Sequence, residues 1–136
     1  MIRRFFKLPK PERRDLYAAA WRLLVVRLCL VFGIQRSVRW LDGYQAKAGA
    51  EPDLACWRRR AVALRRLGAR LPGVECLARA IALRWWMRSQ GVDARMLIGV
   101  RPGEDGVASH AWVELDRESI DETAENAGRF KVIFTA

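Results

Sequence analysis

Apolar residues recur every three or four positions through the first half of the chain, which is the spacing of one face of an α-helix. This pattern predicts a long helix that runs to about Gly33 and a weaker helix over 35–49. A third helix is predicted from about Pro52, and the Leu-Pro-Gly sequence at 71–73 ends it. The first half of the chain is therefore expected to be helical.

The second half changes its period. A fourth helix begins close to Cys76 and runs to about Gln90, and after Gly91 the apolar residues alternate with polar ones, as in strands. The fold class predicted from this order is α+β, with N-terminal helices packed on a small antiparallel sheet. We expect a single domain, 1–136, with a helical part and a part that holds the Cys76 helix and the sheet. The helical part is 1–72, and the part with the Cys76 helix and the sheet is 73–136. The predicted strands are 94–101, 109–115, one that begins at 119–121, and 129–135.

The composition is that of a globular protein, with 51% apolar and 29% charged residues in 136. The net charge of +10 favours an anionic partner, such as an acidic peptide, a membrane surface or a nucleic acid. Three cysteines leave one thiol unpaired under any disulfide scheme, and the chain has one histidine. We therefore expect free thiols, a reducing compartment, and neither a metal nor a cofactor.

The apolar stretch 16–34 follows basic residues, as a membrane anchor would. However, Arg22 and Arg27 lie inside it, and each would cost about 2.5–3.5 kcal/mol at the centre of a bilayer. The sequence favours a buried helix and a cytoplasmic protein without membrane contact. A segment that lies on or in the membrane, and so a peripheral location, is the alternative.

Cys76 is the cysteine with a placement suited to chemistry. A thiol at a helix start lies near the positive end of the helix dipole, which favours the nucleophilic thiolate. A buried apolar cysteine would have no such role. Cys29 lies inside an apolar helix and Cys56 in the first turn of an arginine-rich helix, so both are expected to be structural.

His110 is the only residue that could supply an imidazole. It lies in the predicted strand SHAWVEL, with Trp112 on the same face. A lone histidine on a strand is more often structural than catalytic. A nucleophilic thiol, however, requires a base within hydrogen-bond reach, and the base requires a third group that orients it.

A carboxylate on the next strand can be that third group. A two-residue turn at Asp116-Arg117 would pair Leu115 with Glu118 and therefore Trp112 with Asp121. Asp121 would then project from the face of His110 at a diagonal distance of about 7–8 Å. A four-residue turn preserves this face, and a three-residue turn reverses it.

These residues carry a resemblance to a known family. A cysteine at a helix start, then His-Ala-Trp, then an aspartate on the next strand resembles the transglutaminase-like, papain-like cysteine peptidase core. The sequences ECLARAIALRWWMRSQGVDARMLIGVR and SHAWVELD are similar to the leader peptidases of lasso-peptide biosynthesis. The resemblance implies a triad of Cys76, His110 and Asp121 without a cofactor. It also implies cleavage of the leader from a ribosomally made precursor peptide.

The same resemblance implies partners. Some members of this family carry a leader-binding domain, for which this chain has no room, so a separate leader-recognition protein is expected. The macrolactam synthetase that closes the lasso is a further candidate. Trp112 could line the peptide groove or shield the base from water, and Arg59 and Arg66 could contact the leader or the recognition protein.

Two alternatives to a peptidase remain open from the sequence. The same triad could transfer an acyl group to an amine, as transglutaminases do, or the chain could be a non-catalytic basic binding module. No motif of the common nucleic-acid-binding folds is present, so nucleic acid is not an expected partner.

Overall fold

The computed structural model describes residues 10–42, 53–69, 76–104 and 106–136. The last part of the helix predicted over 35–49 and the predicted helix end at 71–73 lie outside the described residues. Within them, four helices precede a four-stranded antiparallel sheet, which confirms the predicted α+β class. The elements are α1 (Lys10–Leu30), α2 (Ile34–Asp42), α3 (Leu54–Gly68), α4 (Cys76–Ser89), β1 (Arg95–Gly103), β2 (Gly106–Leu115), β3 (Glu118–Ser119), α5 (Ala124–Ala127) and β4 (Lys131–Thr135).

The sheet has the order β3-β2-β1-β4. Leu115 pairs with Glu118, which confirms the predicted two-residue turn between β2 and β3. Asp116 and Arg117 both have positive φ, 51° and 68°. This backbone is that of a type I′ turn, whose twist matches the twist of paired strands.

The third strand is shorter than expected. Its ladder with β2 ends soon after the pair Glu114–Ser119, and the Ile120 N–H donates a last hydrogen bond to the Val113 carbonyl at 3.0 Å. Thr123 then caps α5, because its hydroxyl accepts a hydrogen bond from the Asn126 N–H at 3.2 Å. The segment between β3 and α5 is therefore not an extended strand.

Helix α4 lies at the centre of the molecule. It is buried almost along its whole length and packs against α1, α3 and strand β2. Trp86, Met87 and Ile81 on α4 join Leu23 of α1 and Val113 of β2 in one hydrophobic cluster. This packing fixes the start of α4 against the middle of β2.

Helix α1 is buried on one face only, which modifies the expectation of a buried helix. Ala19, Leu23 and Val26 are fully buried against the core. The opposite face, the connection to α2 and the last turn of α2 expose large apolar side chains. We call them the apolar stripe: Tyr17, Trp21, Leu24, Leu28, Val31, Phe32 and Trp40. Within the described ranges, no helix is both long enough and apolar enough to cross a membrane.

Arg22, which interrupts the apolar sequence, is accommodated by aromatic rings. Its guanidinium lies 4.4 Å from the Trp21 ring centre and 5.0 Å from that of Trp86, and it donates a hydrogen bond to the Ala18 carbonyl at 3.2 Å. Burial, and then the charge of Arg60, lower the pKa of Arg22 to about 10. The residue remains charged at neutral pH and is stabilised by cation–π contacts.

Candidate active site

Cys76 is the first residue of α4 and is half-buried. Its side chain lies close to the His110 imidazole and to the backbone N–H of Ala111, and both lower the pKa of the thiol. Both contacts come from β2, against which α4 packs. The structure thus brings together the thiol and the imidazole that the sequence predicted as a pair.

The two groups shift each other's pKa values in opposite directions. The hydrogen bond with His110 lowers the pKa of Cys76, more than burial raises it, and the Ala111 N–H and the charges of His110 and Arg79 lower it further. The hydrogen bond with Cys76 raises the pKa of His110, against the effect of burial, and the contact with Glu122 raises it too. The pair therefore favours a thiolate beside an imidazolium, which is the reactive form of such a pair.

Glu122 is the carboxylate that contacts the imidazole. Its Oε2 lies 2.5 Å from Nε2 of His110, and its Oε1 accepts a hydrogen bond from the Thr123 N–H at 3.0 Å. Burial raises the pKa of Glu122, but hydrogen bonds from Thr123, Asn126 and His110 outweigh burial and lower it. Because Nε2 contacts Glu122, Nδ1 is the ring nitrogen left for the sulfur of Cys76.

Asp121 lies beside this pair but makes a different hydrogen bond. Its Oδ1 accepts from the backbone N–H of Val113 at 2.9 Å. Burial raises the pKa of Asp121 to about 6, although the Val113 hydrogen bond and the charge of His110 act in the opposite direction. The predicted role of Asp121 as the orienting group stays a prediction, and Glu122 now competes with it.

The shortness of β3 explains why Glu122, and not Asp121 of the predicted strand, contacts the imidazole. The prediction extended the alternation of strand faces to Asp121, but the ladder ends at Ile120. The Asp121 carboxylate then takes the Val113 N–H that a longer strand would have used. A useful signal was present in the sequence, because Thr123 is a favoured helix N-cap and implies that the strand ends before it.

The imidazole of His110 packs against the rings of Trp112 and Phe130. His110 stacks on Trp112 with ring centres 6.0 Å apart and lies 5.5 Å from Phe130. Trp112 is only 2% exposed, and its indole N–H donates to Glu114 at 3.3 Å. This packing suits the shielding role considered for Trp112. Because the ring is buried, it offers little surface to a peptide or a partner.

Gly99 makes room for these rings. It pairs with His110 across β1 and β2, and a Cβ at this position would lie 2.6 Å from the Phe130 Cβ and 2.9 Å from the Trp112 ring. The position therefore accepts only glycine without movement of the aromatic cluster.

We expect Gly99→Ala to lower the free energy of unfolding by about 1–3 kcal/mol, because the added methyl overpacks the cluster. Urea unfolding followed by tryptophan fluorescence measures this change. Gly128→Ala is the control, since Gly128 lies outside the cluster with a helical φ of −65°. Equal stability of Gly99→Ala and the unmodified chain would contradict the proposed close packing.

A cleft of about 880 Å³ opens beside the pair. It lies between α3, the start of α4, and the segment from the β2–β3 turn to α5. Arg59 and Arg66 are exposed on α3 but do not line this cleft, whereas Arg58 and Arg65 do. The residues that line it with Cys76 and His110 include Arg58, Arg65, Arg79, Arg117, Glu118, Asp121 and Glu122.

The site has the side chains that nucleophilic chemistry requires. All three cysteines are free thiols, and Cys29 and Cys56 do not line the cleft. In the part of the chain that the structure describes, no group of three or more His, Cys, Asp or Glu side chains could hold a metal ion. The arrangement offers a thiol, an adjacent base and a carboxylate on that base, which is the constellation of a cysteine-dependent hydrolase or acyltransferase.

Comparison with known proteins gives the family. The model of the Transglutaminase-like superfamily matches residues 16–135, so the chain belongs to that superfamily. Membership supports chemistry of the cysteine-peptidase or acyltransferase type. No curated protein and no solved structure gives a significant match.

Proposed function

We propose that this protein is a cysteine endopeptidase that removes the leader from a ribosomally made lasso-peptide precursor. The observation that carries the enzymatic part is that Cys76, His110 and Glu122 line one cleft, where His110 lowers the pKa of Cys76 and contacts Glu122. A binding module would not require a thiol with a lowered pKa beside an imidazole with a raised pKa. Substrate identity rests on the sequence resemblance from Glu75 to Asp121.

The first half of the reaction forms a thioester. The Cys76 thiolate attacks the carbonyl carbon of the scissile peptide bond, and the negative charge moves to the carbonyl oxygen. The backbone N–H of Cys76, at the start of α4, is the natural first donor to that oxygen. When the tetrahedral intermediate collapses, the C–N bond breaks and His110 gives its proton to the leaving amine.

The second half returns the enzyme to its first state. A water molecule gives a proton to the now neutral His110 and attacks the thioester carbonyl. The C–S bond breaks, the N-terminal fragment leaves as a carboxylic acid, and the thiolate–imidazolium pair is restored. Glu122 holds the ring so that one nitrogen faces the sulfur throughout.

We further propose that a separate leader-recognition protein presents the precursor in the cytoplasm, and that the macrolactam synthetase acts next. The apolar stripe supports protein docking, because large side chains such as Leu24 and Leu28 are 57% and 61% exposed. Arg59 and Arg66 are exposed on α3 and add positive charge outside the cleft. Docking would raise the effective concentration of the scissile bond at the cleft.

The test of the reaction is incubation with a leader-containing precursor, with and without a primary amine, followed by mass spectrometry. The proposal predicts two fragments whose summed mass exceeds that of the precursor by one water. An amine adduct of the leader fragment as the main product would favour the transglutaminase-like alternative. An intact precursor under all conditions, with the recognition protein present, would contradict the proposal.

The partner is tested by a time course of cleavage with and without the recognition protein across a salt series. We expect slow cleavage by the chain alone, marked acceleration by the partner, and a smaller acceleration at high salt, since exposed charges are screened. Two double variants should each reduce the acceleration more than the basal rate. They are Arg59→Glu with Arg66→Glu, and Leu24→Asn with Leu28→Asn. Full-speed cleavage without the partner would contradict this part.

A further inference from the structure

The cleft has an excess of positive charge that the described residues do not neutralise. Arg58 is paired with Glu118 at 3.6 Å, so its charge is partly balanced. Arg65, Arg79 and Arg117 also line the cleft, and none of them forms an ion pair within the described residues. They come from α3, α4 and the β2–β3 turn, so three separate elements direct positive charge to one cavity.

The acidic residues of the cleft are already engaged. Glu122 contacts Nε2 of His110, and Asp121 accepts the hydrogen bond from Val113. Glu118 is the partner of Arg58. The free arginines therefore have no carboxylate left for them among the described residues that line the cleft.

Arg79 gives a second, independent observation. Its Nε is buried and has no hydrogen-bond partner in the described part of the chain. A buried donor without an acceptor is uncommon, and a bound ligand that supplies an oxygen satisfies it. Arg79 follows Cys76 by one turn of α4, so a ligand oxygen on this guanidinium would lie close to the reacting thiol.

We propose that the cleft is a binding site for a peptide with an acidic side chain close to the scissile bond, held by Arg65, Arg79 and Arg117. The inference deepens the proposed peptidase function and rests on it for the position of the scissile bond. Arginine binds a carboxylate through two parallel N–H donors, so it selects Asp or Glu over the isosteric amides. A neutral or basic residue at the same place leaves the arginines without partners. The site thus contributes specificity that the thiol and imidazole cannot.

The experiment uses the Cys76→Ala chain, which binds without cleaving, labelled with ¹⁵N. Two short peptides of serine, glycine and threonine differ only in having two Asp or two Asn residues. NMR titration gives each dissociation constant, and the arginine Nε–H signals report the place of binding. The Asp peptide should bind about tenfold more tightly than the Asn peptide, and the preference should decrease at high salt.

Variants of the arginines identify the side chains responsible. Arg65→Gln and Arg117→Gln should each reduce the preference for the Asp peptide, whereas Arg36→Gln removes an equal charge from exposed α2 and should not. Arg65→Glu should reduce the preference for the Asp peptide further than Arg65→Gln does. These are exposed positions, so the variants are expected to fold even if Arg79→Gln does not.

Equal binding of the Asp and Asn peptides, or a preference unaffected by Arg65→Gln and Arg117→Gln, would overturn the inference. The result is separate from the outcome for the proposed function. An acidic preference in a protein that cleaves no precursor would refute the peptidase and retain the binding site. Cleavage of the precursor without a preference for the Asp peptide would retain the peptidase function and refute the acidic binding site.

Discussion

Cys76→Ala should abolish precursor cleavage while the fold survives, and His110→Ala should reduce cleavage to nearly the same level. The thiolate supplies the electron pair for the new bond, and the imidazolium supplies the proton for the leaving amine. When two residues act as such a unit, removing either one lowers the reaction rate about 10⁴-fold or more. The assay is the single-turnover rate of precursor cleavage by each variant, with circular dichroism as the check on folding.

Cys29→Ala and Cys56→Ala are the matched controls, because each removes one sulfur from the same chain. Neither residue lines the cleft, so both variants should cleave at nearly the original rate. Loss of activity in Cys56→Ala with full activity in Cys76→Ala would refute the assignment of the nucleophile.

Glu122→Gln should lower the cleavage rate by about 10²–10⁴-fold without loss of the fold. The amide can still contact His110 but does not stabilise the imidazolium or select one tautomer. From the contacts in the structure, Asp121→Asn should lower the cleavage rate less than Glu122→Gln does. The amide oxygen of Asn can still accept the hydrogen bond from the Val113 N–H. The measurement is the dependence of the cleavage rate on pH for both variants, since loss of the orienting carboxylate lowers the pKa of His110.

The two variants decide between the prediction from sequence and the contact in the structure. If Asp121→Asn loses the greater part of the rate and the pKa of His110 moves only in that variant, Asp121 is the orienting group. Equal and small losses in both variants would show that no carboxylate is required.

Asp121 should also affect stability, with a predictable sign. Burial raises its pKa from 3.8 to about 6, so between these values the folded chain holds a proton that the unfolded chain releases. Its contribution to the free energy of unfolding therefore decreases as the pH rises through this range. Asp121→Asn removes that decrease.

Much of the site followed from local sequence patterns. Cys76 begins a helix whose apolar residues are buried almost all round, and His110 lies on a strand with a clear alternation of faces. The two-residue turn at Asp116-Arg117 has no glycine, yet both residues adopt positive φ because the strand register requires it. Local spacing was therefore sufficient to predict the helix start at Cys76, the strand that carries His110 and the hairpin.

The remaining features depend on contacts between distant parts of the chain. Glu122 reaches His110 only because the ladder ends at Ile120, which alternation alone does not indicate. Arg65 faces the cleft and Arg66 does not, and the period of α3 cannot tell which of its flanks the sheet approaches. The exposed face of α1 could not be predicted either, because both the buried and the exposed faces of this helix are apolar.

The reactivity of the three thiols tests the central claim, a Cys76 thiolate sustained by His110. Brief treatment with iodoacetamide at pH values near neutral, followed by peptide mapping, gives the alkylation rate of each cysteine. We predict that Cys76 reacts roughly tenfold or more faster than Cys29 and Cys56, because thiolate content sets the rate. We also predict that His110→Ala removes this advantage. Preferential labelling of Cys56 with an inert Cys76, or a Cys76 rate that does not change in His110→Ala, would contradict the account.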